Sequence, residues 1–220
     1  MEPKTLDHVA FWVSDRGAIA RFLEQHLAMH VVAEEANFTL MGADARRGKL
    51  TLFDAEGPRE QGAFKHVALR VPNLEAARAS LPAGTPDVFD LGEGVRLKLV
   101  EGDTDVEADL DHVALFAHDP EATAAEYERY GFDRVGPTRV EVGGSFIEFH
   151  AGNPGAPERP LLNHLAVLVD SVDDHIAEAN DLGIDVDSVV DAANTYAVFL
   201  WGPERVRIEY VEHKPTFSLT

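Results

Sequence analysis

The sequence contains no cysteine, which excludes disulfide bonds and thiolate metal ligands and favours a reducing, cytoplasmic location. No hydrophobic run approaches the roughly 18 residues that a membrane-spanning helix needs, and the opening residues lack a signal-peptide pattern. Basic residues are scarce, since 19 lysines and arginines stand against 39 acids and give a net charge of −20. Such a surface repels phosphate backbones, so we expect neither nucleic acid nor a membrane as a partner.

A short phrase is present four times, as LDHVAFWVSD, FKHVALRVPN, LDHVALFAHD and LNHLAVLVDS. The phrases centre on histidines spaced by 58, 46 and 52 residues, namely His8, His66, His112 and His164. Seven residues after each histidine there is a residue type that often begins helices: Asp15, Asn73, Asp119 and Ser171. This internal repeat predicts four copies of one structural unit.

The third copy shows the predicted unit most clearly. An apolar strand over 110–117 is followed by the N-cap residue Asp119, a helix over 121–130 and the helix-ending Gly131. Three short strands follow, separated by glycine-containing turns, so the unit reads as βαβββ. The first and fourth copies repeat this order, and the second is compressed.

The repeat predicts an α+β fold in which four βαβββ modules pair into two cup-shaped half-barrel domains. An acidic segment over 103–109 indicates the boundary between two halves, 1–106 and 107–220. Residues that point into a cup alternate along each strand, so the first-strand histidine and alternate residues of the last strand share one interior.

An alignment of the four last strands places Leu52, Lys98, Glu148 and Glu209 at matching positions. The C-terminal half therefore offers two imidazoles and two carboxylates, which suit a divalent first-row metal: His112, Glu148, His164 and Glu209. A carboxylate buried in a strand without a compensating cation costs several kcal/mol, which supports the metal interpretation. His8 and His66, which would face Leu52 and Lys98, are interpreted as structural histidines.

These first strands, together with the final strand WGPERVRIEY, resemble the vicinal oxygen chelate superfamily over essentially the whole chain. That superfamily includes glyoxalase I, bleomycin and fosfomycin resistance proteins and type I extradiol dioxygenases. The resemblance implies one divalent ion (Fe, Mn, Ni, Co or Zn) that chelates two adjacent oxygens of a small-molecule substrate. His112, Glu148, His164 and Glu209 fall on the glyoxalase ligand positions, whereas extradiol enzymes use only the equivalents of His112, His164 and Glu209.

The leading interpretation is a glyoxalase-type lyase or isomerase in which Glu148 or Glu209 moves a proton between adjacent carbons. Four protein ligands leave a six-coordinate ion two positions, which a chelating substrate fills, while three ligands leave room for dioxygen as well. Six residues are expected to line the substrate pocket: Phe116, Phe146, His150, Tyr196, Phe199 and Arg207.

Two alternatives remain open. One is ring cleavage of a catechol by an extradiol-type enzyme with Fe(II) or Mn(II), although Phe199 stands where those enzymes usually have tyrosine. Their two further acid/base histidines would fall near Ser145 and Val190. The other is a non-catalytic protein that binds small molecules such as drugs. Four modules in one chain allow either a monomer or a homodimer.

Overall fold

A computed structural model describes residues 1–217 of the chain. The fold is of the predicted mixed α+β class, with two large sheets and four short α-helices. The helices are α1 (Arg16–His26), α2 (Leu74–Ala79), α3 (Pro120–Tyr127) and α4 (Val172–Leu182). Within the described residues, no helix is both long and apolar enough to cross a membrane.

Each repeat copy forms one module, and the second has one strand fewer than the others. The first module contains β1 (Thr5–Val13), β2 (His30–Glu35), β3 (Phe38–Gly42) and β4 (Lys49–Asp54). The second contains β5 (Phe64–Val71), β6 (Val88–Asp90) and β7 (Arg96–Glu101). The third contains β8 (Asp109–Ala117), β9 (Asp133–Gly136), β10 (Arg139–Val142) and β11 (Ser145–Ala151). The fourth contains β12 (Leu162–Leu168), β13 (Val186–Asp191), β14 (Thr195–Trp201) and β15 (Arg207–His213).

All four predicted N-cap residues begin their helices. The side chains of Asp15, Asn73, Asp119 and Ser171 each accept a hydrogen bond from the backbone N–H three residues later. Such a cap contributes about 1 kcal/mol to the stability of its helix. The helix predicted over 121–130 is shorter, because α3 ends at Tyr127 and a 3₁₀ turn, Glu128–Tyr130, leads to left-handed Gly131.

The modules pair differently from the prediction. The eight-stranded sheet has the order β13-β14-β15-β12-β1-β4-β3-β2 and joins the first module to the fourth. The seven-stranded sheet has the order β6-β7-β5-β8-β11-β10-β9 and joins the second module to the third. The predicted division into 1–106 and 107–220 is therefore wrong for the sheets, and the acidic segment lies between β7 and β8 of one sheet.

The reason is that every module presents the same first strand as its open edge. β1 pairs antiparallel with β12, and β5 pairs antiparallel with β8. Any of the four edges satisfies the backbone hydrogen bonds of any other, so the repeat by itself does not determine the partner.

The first module contacts the second, and the third contacts the fourth, through two glutamates whose backbone φ is positive. Glu93, with φ of 57°, accepts hydrogen bonds from the backbone N–H groups of Ser14 and Asp15 ahead of α1. Glu204, with φ of 55°, accepts hydrogen bonds from the backbone N–H of His118 at 2.9 Å and from the Thr123 hydroxyl at 3.2 Å. A loop of one module thus holds the start of the helix in the module that precedes it.

Replacement of Glu204 by alanine is expected to lower the free energy of unfolding by about 1–2 kcal/mol, because it leaves the start of α3 without these charged acceptors. Urea denaturation followed by circular dichroism measures the change. Glu126→Ala, on the exposed side of α3, is the matched control and should change stability by less than about 0.5 kcal/mol. Equal losses in both variants would contradict a bracing role for Glu204.

The helices cover one face of each sheet and leave the other face for polar side chains. In β1, Val9, Phe11 and Val13 belong to the main core together with Ile19 and Leu23 of α1. Because side chains alternate along a strand, His8 lies on the opposite, helix-free face. We call the helix-free face of the eight-stranded sheet around His8, His164 and Glu209 the first cup. The corresponding face of the seven-stranded sheet, around His66 and His112, is the second cup.

Candidate metal centre

Two β-bulges shape the first cup. The register between β1 and β12 shifts at Asp7 and again at Asn163, the residues immediately before His8 and His164. A bulge inserts an unpaired residue and turns its side chain toward the same face as its neighbour. Each histidine therefore has a polar companion from the preceding position.

Three ligand-type atoms meet between the two central strands and β15. His8 Nε2 lies 2.9 Å from His164 Nε2 and 3.2 Å from Glu209 Oε2. His164 Nε2 lies 2.9 Å from the same carboxylate oxygen. All three ligand atoms lie within 4.8 Å of one another, close enough to bind one metal ion.

The bulged residues orient both imidazoles. His8 Nδ1 donates to Asp7 Oδ2 at 2.8 Å, and His164 Nδ1 donates to Asn163 Oδ1 at 3.0 Å. Metal-binding histidines usually donate their second N–H to an oxygen acceptor, which fixes the tautomer and directs the other nitrogen to the metal. Lys49 Nζ donates in turn to Asp7 Oδ1 at 2.9 Å.

The electrostatics of the first cup favour a cation at its centre. Burial alone would raise the pKa of Glu209, but His164 and His8 lower that pKa well below its usual range. Burial alone would lower the pKa of His8, but hydrogen bonds to Asp7 and Glu209 raise it to about 9. A positive charge between Asp7 and Glu209 is therefore stabilised, and His8 carries one as a proton.

The fourth ligand position of the first cup belongs to Thr51. In each module an alanine stands two residues after the first-strand histidine, and the last strand pairs with it in parallel. The residues of the last strands that pair with these alanines are Thr51 (with Ala10), Lys98 (with Ala68), Glu148 (with Ala114) and Glu209 (with Ala166). The predicted equivalent, Leu52, is wrong by one residue, since Leu52 pairs with Phe11 and lies in the main core. A shift of one residue exchanges the two faces of a strand.

The donor set fits a divalent metal. Two imidazoles with one carboxylate form a recognised ligand set for divalent first-row ions, of mixed nitrogen and oxygen character. Glu209 Oε2 is buried, and the two imidazole Nε2 atoms that contact it, of His8 and His164, are the nitrogens that would bind the same ion. Both imidazoles are already held in place by their hydrogen bonds to Asp7 and Asn163.

The predicted four-residue site is only half correct. His164 and Glu209 lie together, but His112 and Glu148 lie in the other sheet. There His112 Nε2 is 3.3 Å from His66 Nε2, and Glu148 Oε1 accepts a hydrogen bond from Arg139 at 3.1 Å. His8, interpreted from the sequence as structural, completes the first cup instead.

The six predicted pocket residues are also divided. Phe199 and Arg207 lie in the first cup, where the Phe199 ring is 5.2 Å from that of His164 and the Arg207 guanidinium lies 4.0 Å above Phe199. Tyr196 is wrongly assigned, because it points to the helix side of β14 and donates to Asp173 of α4 at 2.9 Å.

The other three predicted pocket residues belong to the second cup. Phe146 stacks on His112 at 4.5 Å, and His150 Nε2 lies 3.2 Å from Glu148. Phe116 lies beneath the ammonium of Lys65, 5.8 Å from it. Their assignment to a pocket shared with His164 is wrong because β8 and β11 pair with the second module.

Sequence reasoning missed Asp7, Asn163 and Thr51. The repeat itself contained the signal for the first two, since the residue before the histidine is an oxygen acceptor in three copies and a lysine, Lys65, in the second. No comparable signal identified Thr51, because strand register depends on pairing between strands that are distant in the sequence.

Removal of the Asn163 acceptor is expected to weaken metal binding by about 10- to 100-fold, because His164 loses the partner that orients it. Isothermal titration of the Asn163→Ala protein with Mn(II) or Zn(II) measures the change. Asp111→Ala is the matched control, since Asp111 accepts from His112 Nδ1 in the second cup at 2.6 Å. If the two variants lost metal affinity equally, the first cup would not be the metal site.

Comparison with known proteins gives one family. Residues 5–84 match the sequence model of the Glyoxalase/Bleomycin resistance protein/Dioxygenase superfamily. No curated protein matches the chain.

Similar solved structures extend over the whole fold. A putative dioxygenase from Bacillus subtilis subsp. subtilis str. 168 has a TM-score of 0.82 at 16% identity, over 98% of this chain and 87% of that chain. Glyoxalase I from Zea mays has a TM-score of 0.70 at 15% identity, over 94% of this chain and 92% of that chain. The cppA protein from Streptococcus pneumoniae TIGR4 has a TM-score of 0.64 at 12% identity, over 96% and 98%. At these identities the similarity shows the fold alone.

Proposed function

We propose that the chain is a member of the Glyoxalase/Bleomycin resistance protein/Dioxygenase superfamily, whose sequence model matches residues 5–84, and that it acts as a metal-dependent oxygenase that cleaves a small aromatic diol. The observation that carries this proposal is the ligand set of the first cup. His8, His164 and Glu209 form a two-histidine, one-carboxylate set, and Thr51 occupies the fourth position in place of a second carboxylate. Such a set with open positions is typical of non-haem iron(II) oxygenases.

The proposed cofactor is one divalent ion, Fe(II) or Mn(II), held by these three side chains. When bound, the ion would polarise two adjacent substrate oxygens and provide a redox-active centre. His8 gives up its Nε2 proton when a cation takes that place, because only a neutral imidazole is a ligand. Asp7 and Asn163 keep both rings aimed at the centre throughout.

The side chains around His164 suit a flat aromatic substrate. The rings of Phe53 and Phe199 lie 6.0 and 5.2 Å from that of His164, and both are inclined to it at a steep angle. Aromatic pairs at these separations contribute about 0.5–1.5 kcal/mol beyond the area they bury, so a substrate ring has favourable partners on two sides.

Arg207 provides the polar contact for this substrate. Its Nε atom is buried and has no hydrogen-bond partner among residues 1–217, while its Nη2 donates to Asp187 and Ser188. The guanidinium is therefore fixed by two neighbours, and its buried Nε–H is available as a donor. A diol that has lost a proton would be held by this donor and by the positive charge.

A solved structure of similar fold also supports the proposal. The Bacillus subtilis protein, which is described as a putative dioxygenase, covers nearly the whole chain. Glyoxalase I has the same fold, so the fold alone does not select the reaction.

A second candidate, a glyoxalase-type lyase or isomerase, is favoured by one observation. Phe199 lies directly opposite Glu209 on the neighbouring strand, at the position where extradiol enzymes usually have a tyrosine hydroxyl. In this candidate Glu209 alone moves the proton between adjacent carbons, since Glu148 lies in the other sheet.

Two measurements on one preparation test the proposal. Elemental analysis of protein purified without chelator or His-tag gives the metal and its stoichiometry. An oxygen electrode then follows the Fe(II)-loaded protein with catechol, and separately with a hemithioacetal of a small thiol. We expect one metal ion per chain and oxygen consumption with the catechol, together with a yellow ring-opened product.

Each other result selects a different function. Isomerisation of the hemithioacetal without oxygen consumption would establish the second candidate. Protein that contains no metal and cannot be loaded with one would reject both reactions and leave a small-molecule binder.

A further inference from the structure

The second cup repeats the histidine pair of the first cup with different surroundings. His66 Nε2 and His112 Nε2 lie 3.3 Å apart and both side chains are buried. Lys98, on β7, stands level with Ala68 and occupies the position that Thr51 has in the first cup. Lys98 thus lies on the same face of the sheet as the two imidazoles.

A second lysine replaces an acid in the same cup. The register between β5 and β8 shifts at Lys65, the residue before His66, as the register of β1 shifts at Asp7. Lys65 is therefore the bulged residue whose side chain turns toward the histidine face. At the two positions where the first module has Asp7 and Thr51, the second module has Lys65 and Lys98. Both differences make the second cup more positive.

These two lysines differ from the others in the chain. The sequence has only five lysines, and Lys4, Lys49 and Lys214 each pair with an aspartate. Neither Lys65 nor Lys98 forms an ion pair with any residue in the range 1–217. In a protein of net charge −20, two half-buried lysines without an acidic partner are an unusual concentration of positive charge.

The carboxylates of the second cup are already engaged. Glu148 contacts Arg139 at 3.1 Å and His150 at 3.2 Å. Asp111 accepts from His112 at 2.6 Å and from the Nε of Arg70 at 2.9 Å. Neither acid therefore compensates the lysines.

His66 responds to this uncompensated charge. Burial lowers the pKa of His66, and the positive charges of His112, Lys98 and Lys65 lower it further, to about 4. His66 is neutral near pH 7, and a positively charged neighbour is responsible for part of that shift. An anion placed between the lysines would oppose it.

We propose that the second cup binds a small oxyanion, a carboxylate or a phosphate, through Lys65 and Lys98 without any metal. The lysine ammonium groups would supply the positive charge that the proposed metal ion would supply in the first cup. The cup is open to solvent, since Lys65, Lys98 and Glu148 are all partly exposed. This site is independent of the proposed oxygenase reaction, which uses the other sheet.

Binding of inorganic phosphate and of malonate to chelator-treated protein tests the proposal. Isothermal titration at constant ionic strength, with chloride as the reference anion, should show one saturable site for at least one of the two probes. Lys98→Met and Lys65→Met should each weaken this binding by about tenfold or more, because each removes a charged hydrogen-bond donor. Lys4→Met is the matched control, as it removes a lysine that is paired and lies outside the cup.

Histidine NMR locates the bound anion and keeps the test valid if one variant is unstable. In the unmodified protein, a bound anion should raise the pKa of His66 from about 4, since it favours the imidazolium form. A preference for phosphate or for malonate identifies which oxyanion the cup accepts. Absence of saturable binding, an equal loss in Lys4→Met, or binding that needs added metal would each overturn the proposal.

Discussion

Glu209→Gln is expected to abolish stoichiometric metal binding and to reduce turnover by about 1000-fold. Glu209 is the only carboxylate among the three ligands, and its amide replacement is a much poorer partner for a cation held by two imidazoles. Loss of metal-derived transition-state stabilisation, ~4 kcal/mol, corresponds to about this factor in rate. Elemental analysis and the oxygen electrode measure both effects.

Glu148→Gln provides the matched control. Glu148 stands at the equivalent position of the seven-stranded sheet. Its carboxylate contacts Arg139 and His150, whereas the carboxylate of Glu209 contacts His8 and His164. We expect this variant to keep its full metal content and its turnover. Loss of metal in Glu148→Gln with metal retained in Glu209→Gln would place the centre in the second cup and reject the first.

The sequence was sufficient to predict the elements of this fold. The repeat predicted four modules because each one begins with an apolar strand and an N-cap residue ahead of a helix, and these signals are local. Asp119, for example, caps α3 as its position seven residues after His112 indicated. Helix ends were predicted less well, because the last turn of α3 tightens into a 3₁₀ turn.

The pairing of modules was not predictable from the repeat. His112 and His164 were expected to share one cup because their modules are adjacent in the sequence, but the open edge of β12 pairs with β1. That choice depends on contacts between segments about 150 residues apart, which leave no periodic signal in either strand. Half of the predicted metal site was therefore assigned to the wrong partner.

A register error of one residue in β4 is the reason why Leu52 was predicted in place of Thr51. The strand KLTLFD has apolar residues on both faces, so its hydrophobic pattern fits either register. Lys49 resolves the register, because its buried ammonium must reach Asp7 beside His8, and Thr51 follows two residues later on the same face. A buried lysine next to a bulged aspartate is thus the physical feature that orients β4.

Thr51→Glu should separate the two candidate reactions. The new carboxylate would project into the first cup from the position opposite Glu209 and restore the four-ligand set of the glyoxalase pattern. Metal content should be kept, while oxygen consumption with catechol should fall by about 100-fold or more, because a six-coordinate ion with four protein ligands has room only for the two oxygens of the diol. Thr51→Val has nearly the same volume and no ligand atom, so it should retain both metal and oxygen consumption. If Thr51→Glu still consumed oxygen with the new carboxylate bound to the metal, the coordination argument would be refuted. If the variant gained hemithioacetal isomerase activity, one side chain would decide between the two chemistries on this fold.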